Sequence, residues 1–60
     1  KFNKMEKNYL VRVMHPGGTT YSYTVKAQRL YFDHDSIVFV RMDGGLEIFP
    51  QGLTIVNEKE

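Results

Sequence analysis

Apolar and polar residues alternate along much of this chain, and clusters of turn-forming residues interrupt the alternation. From Tyr21 to Val25 the odd positions are apolar and the even ones polar, the period of a half-buried strand. The clusters are Pro16-Gly17-Gly18, Asp33-His34-Asp35-Ser36 and Asp43-Gly44-Gly45. They predict strands over 8–15, 19–26, 28–33, 36–42 and 45–49. Pro50 cannot donate to a ladder and Gly52 follows, so 49–52 reads as a turn. Residues 53–56 read as a last short strand, or a 3₁₀ turn leading to one. No segment has a convincing helical period.

The turns also predict registers. A three-residue hairpin loop is commonly a type I turn followed by a residue in the left-handed region, where glycine costs least. A loop at Pro16–Gly18 pairs Val13 with Tyr21, Val11 with Tyr23 and Tyr9 with Val25. A loop at Asp43–Gly45 pairs Met42 with Leu46, Val40 with Ile48 and Phe39 with Phe49, and sets Arg41 opposite Glu47. The third turn lacks glycine, and its loop is read as three or four residues. Aspartate suits such a turn because its carboxylate accepts bonds from nearby amides.

One parity then collects a core: Tyr9, Val11, Val13, Tyr21, Tyr23, Val25, Leu30, Phe32, Val38, Val40, Met42, Leu46 and Ile48, closed by Leu53 and Ile55. Fully burying a large apolar side chain is worth about 1.5–3 kcal/mol. The opposite parity is polar in the second strand but not elsewhere. It carries Leu10, Met14, Tyr31, Ile37, Phe39 and Phe49, interspersed with Arg12, Arg29, Arg41 and Glu47. The fourth strand is apolar on both sides and reads as central.

Sixty residues limit the chain to one small domain, expected over 9–57 with a flexible lead-in at 1–8 and a charged tail at 58–60. Met5 is a candidate natural first residue, with Lys1–Lys4 a non-native extension. A domain of this size buries only about 60% of its unfolded surface. With no Cys there is no disulfide and no thiolate zinc site, which leaves packing or association with a partner. A net charge of +1 is not by itself a nucleic-acid or membrane footprint. No apolar run approaches the roughly 18 residues of a membrane helix, and no signal peptide is visible. The expectations are a cytoplasmic protein with no membrane association and no small-molecule substrate. In strand count and turn spacing, residues 8–57 resemble the SH3-like and Sm-like small barrels. The fold class expected is thus all-β, a curled antiparallel sheet or barrel of five to six short strands. The acidic and aromatic pattern of peptide-binding SH3 domains and the Sm signature are both missing.

Little in the chain points to catalysis. Asp33-His34-Asp35 could suggest acid–base or metal chemistry, but neighbouring strand residues point to opposite sides, so a polar turn is the simpler reading. His15 precedes Pro16 in another turn. No nucleophile pattern is legible, and neither glycine pair precedes a helix as a phosphate loop does. A chain this short is also expected to lack room for a ligand pocket of about 300 Å³. No enzyme, cofactor or metal is expected.

The second face has two readings. In one it packs on the tail strand and binds nothing, since scattered surface apolar residues are normal. In the other it binds a partner, as aromatic residues and Arg are enriched at interfaces. The candidate binding residues are Arg12, Arg29, Tyr31, Ile37, Phe39, Arg41 and Phe49. The first expectation is a protein partner, which includes a second copy of the chain. The alternative is a single-stranded nucleic acid, with bases stacked on the rings and Arg on the phosphates.

Overall fold

The computed structural model describes residues 5–59. It is all-β, with strands β1 (Lys7–Met14), β2 (Thr20–Ala27), β3 (Arg29–Asp33), β4 (Ser36–Val40), β5 (Leu46–Pro50) and β6 (Thr54–Lys59). A 3₁₀ turn at Gln51–Leu53 leads into β6. The strands form two three-stranded antiparallel sheets, ordered β2-β1-β6 and β3-β4-β5, and these do not close into a barrel. Residues Asn57–Lys59, expected to lie at or beyond the end of the folded part, continue β6 alongside β1, with Lys59 opposite Asn8.

The first hairpin has the predicted register: Val13 faces Tyr21, Val11 faces Tyr23 and Tyr9 faces Val25. His15 N–H donates to Thr19 O at 2.7 Å and Gly18 N–H to His15 O at 3.1 Å, so Pro16–Gly18 is the loop. Gly17 and Gly18 have φ of 93° and 92°. A positive φ right after the proline is the mark of a type II rather than a type I turn.

The chain passes from one sheet to the other at Gln28. Its N–H donates to Val40 O at 2.8 Å and its side-chain amide to Arg41 O at 3.1 Å, so the crossing is tied at two points. Ala27, fully buried beside it, is small enough for the sheets to approach there.

The next two hairpins depart from expectation in informative ways. β3 and β4 pair Phe32 with Ile37 and also Asp33 with Ser36, leaving a two-residue loop. This has the register of the four-residue alternative, tightened by one pair. His34 makes it possible with a φ of 56°, unusual for a residue other than glycine. The loop of the last hairpin is Met42–Gly44 and not Asp43–Gly45. Arg41 N–H bonds Gly45 O at 2.8 Å and Gly44 N–H bonds Arg41 O at 3.0 Å. The positive φ, 89°, belongs to Gly44. The Asp43 carboxylate accepts the Gly45 N–H at 2.8 Å, which fixes the turn one residue early. Val40 therefore faces Leu46, and Phe39 faces Glu47.

The core lies between the sheets. Tyr9, Val11, Val13, Val25 and Ala27 from the first sheet meet Ile37 and Phe39 from the second, flanked by Leu30, Phe49 and Val56. Phe39 is fully enclosed, 5.2 Å from the Tyr9 ring and edge-on to Phe49 at 5.7 Å. This corrects the face assignment of the second sheet. Its inner rows are Leu30, Phe39 and Glu47, then Phe32, Ile37 and Phe49. Its outer rows are Arg29, Val40 and Leu46, then Tyr31, Val38 and Ile48. Both faces are apolar, and the bulkier one is inside. Tyr21, Tyr23, Phe32, Leu46, Ile48, Leu53 and Ile55, all expected in the core, are exposed, while Val56 takes the place expected of Ile55.

Candidate interaction surface

The seven residues singled out from the sequence do not share one surface. Ile37 and Phe39 are buried in the core and Phe49 packs against it, so these three stabilise the fold and offer no open face. Arg12 lies on the outer face of the first sheet, across from Ile55. Arg41 stands just before the β4–β5 loop, bonded across it to Gly45. Its Nε lies 3.2 Å from Asp43 Oδ1 and its Nη2 3.4 Å from Oδ2, and Nη1 reaches within 3.9 Å of Glu47. The expected Arg41–Glu47 proximity thus exists, though the two are diagonal and not directly opposite. The Gly45 amide, and then Arg41, hold the Asp43 carboxyl below its ordinary pKa.

Arg29 and Tyr31 are the two that remain together. They stand on the outer face of the second sheet with the guanidinium carbon 5.4 Å from the ring centroid, a cation–π distance. Around them the pleat sets Val38, Val40, Leu46 and Ile48 on the same face. Val38 and Val40 are covered, but Tyr31, Leu46 and Ile48 keep 38%, 51% and 59% of their surface exposed. Val38 and Val40 are buried, as expected, while Leu46 and Ile48, expected in the core, are not. The signal that would have moved them is the β3–β4 register, since pairing Phe32 with Ile37 gathers Leu30, Phe32, Ile37, Phe39 and Phe49 as the heavier face.

Two further features complete the surface. Contrary to the expectation that a chain this short lacks room for one, a groove of about 350 Å³ runs along the outer face of the first sheet. It is lined by Arg12, Met14, Thr20 and Gly52–Ile55, and Arg12 is its only ionisable group. Asp33-His34-Asp35 forms the exposed β3–β4 turn, with His34 Nδ1 2.8 Å from Asp33 Oδ1. Among the described residues no three His, Asp or Glu converge as a metal site would require, and no helix is long and apolar enough to cross a membrane. The chain matches no protein-family model, no curated protein and no solved structure.

Proposed function

We propose that this chain is a non-enzymatic binding module that recognises a protein partner through the outer face of the β3-β4-β5 sheet. One observation carries the reading: Tyr31, Leu46 and Ile48 project exposed apolar surface beside Val38 and Val40, with Arg29 at the margin. An apolar face with a charged rim is the pattern of an interface. Arg29 would add selectivity through charge more than affinity. In this reading the two sheets are the halves of an open small barrel of the SH3-like or Sm-like kind. The strand count, the crossing to the second sheet at Gln28 and the return of β6 to β1 support that architecture.

The test is affinity capture from the native host with the wild-type chain and an Ile48→Lys variant as paired baits. Ile48 is more than half exposed, so the variant keeps its fold, checked by its β spectrum. A specific partner should be retained by the wild type and lost by the variant. Equal capture by both baits refutes the assignment of this face. The stacked Arg29–Tyr31 pair also favours a second reading, a single-stranded nucleic acid. That reading requires oligonucleotide binding that weakens steeply with salt and falls in both Arg29→Ala and Tyr31→Ala.

A further inference from the structure

We infer that β2 is a dimerisation edge, on which two copies of the chain pair antiparallel about a two-fold axis through Ser22. Among the described residues β2 is bonded on one side only, to β1. Each residue of Thr20–Thr24 is exposed, and the stretch contains neither charge nor proline. β2 carries one charge, Lys26, beyond that stretch, whereas each other edge strand has two guarding residues: β3 Arg29 and Asp33, β5 Glu47 and Pro50, and β6 Glu58 and Lys59. Charges and proline are the usual means of blocking edge-to-edge pairing.

Three features select a second copy of the same chain as the occupant. The segment Thr20-Tyr21-Ser22-Tyr23-Thr24 reads the same in both directions. Antiparallel self-pairing about Ser22 therefore sets Thr20 against Thr24 and Tyr21 against Tyr23, as an isologous interface demands. The hydrogen-bond phase also fits. His15 N–H bonds Thr19 O, so the hydrogen-bonded pairs of the β1–β2 ladder are His15–Thr19, Val13–Tyr21 and Val11–Tyr23. Thr20, Ser22 and Thr24 then turn their N–H and C=O groups away from β1, toward the open edge. Around the Ser22 axis these groups meet their own mates and close a ladder of six bonds. Finally, Tyr21 and Tyr23 lie on the same face as buried Val11 and Val13, yet remain 50% and 40% exposed. The second copy brings each ring against its counterpart in the closer, non-hydrogen-bonded positions, where aromatic cross-strand pairs stabilise a sheet. The result is one continuous six-stranded sheet across the dimer. This edge is separate from the outer face of β3-β4-β5, and the inference does not rest on the role assigned to that face.

Sedimentation equilibrium and a cysteine cross-link test it together. The wild type should sediment at twice its 7.0 kDa mass at high concentration. Ser22→Lys places like charges directly opposite each other across the axis and should weaken association at least about tenfold with the β spectrum unchanged. The chain has no Cys, so Ser22→Cys introduces a single thiol. Its mate would lie about 5.5 Å away between Cα atoms, within disulfide reach, and oxidation should yield a covalent dimer. Thr20→Cys, offset from its mate by about 13 Å along the strand, should not cross-link at a comparable rate. A wild type that stays monomeric at millimolar concentration overturns the inference, as do equal cross-linking rates for the two variants. So does a dimer that Ile48→Lys dissociates and Ser22→Lys does not, since association would then lie on the sheet face.

Discussion

Gly44 and Gly45 sit side by side and are needed for different reasons. Gly44 holds the left-handed conformation that closes the Met42–Gly44 loop, at φ 89°. Gly45 has no such demand, and its missing Cβ leaves room for the Arg41 guanidinium, which folds across it. A side chain at Gly44 meets open space but forbidden backbone. One at Gly45 meets only the far end of a flexible arginine, which can move aside. Gly44→Val should therefore cost more than about 1 kcal/mol, because a β-branched residue fits that conformation poorly. Gly45→Ala should cost less, and urea midpoints of the two variants give the order. The reverse order would restore the loop to Asp43–Gly45.

At the scale of an element, β4 decides the architecture. It is central in its sheet, and each of its faces carries apolar residues: Ile37 and Phe39 inward, Val38 and Val40 outward. The inward pair holds the two sheets together, with Phe39 between Tyr9 and Phe49. Phe39→Ala would leave a cavity at the join and should cost about 3–5 kcal/mol. A total stability of about 5 kcal/mol, the lower end for small domains, would barely survive that loss. Val40→Ala removes two methyl groups from the outer face and should cost about 1.5 kcal/mol. Chemical denaturation of both variants measures the difference. A larger loss at Val40 would mean that the sheet packs through its other side.

The whole molecule exposes much of what it has to bury. The sheets cover one another only in part, so Tyr21, Tyr23 and Phe32 lie on inner faces yet remain open to solvent. Association offsets that deficit by mass action, because a partner that binds only the folded state stabilises it. The thermal midpoint of the wild type should accordingly rise with protein concentration, and that of Ser22→Lys should not. A wild-type midpoint independent of concentration would indicate a fold stable without a second copy.

The sequence by itself determined the β class, the five main strands and the pairing of β1 with β2. All of these rest on local chemistry: a period of two between turns, and a Pro-Gly-Gly loop whose length sets the register. It also revealed that β4 is apolar on both faces. Which face of β3-β4-β5 turns inward was decided only by tertiary structure, since the choice depends on how much apolar volume the two sheets can enclose together. That choice placed Phe39 inside and Ile48 outside, and so divided the candidate site. Two local details also depended on the folded chain. His34 adopts a conformation that its residue type disfavours, and the Asp43 carboxylate captures the Gly45 amide. Each shifts a turn by a residue or two. The extension of β6 to Lys59 has the same origin: Asn57–Lys59 carry no strand signal of their own and are ordered by the ladder that β1 offers.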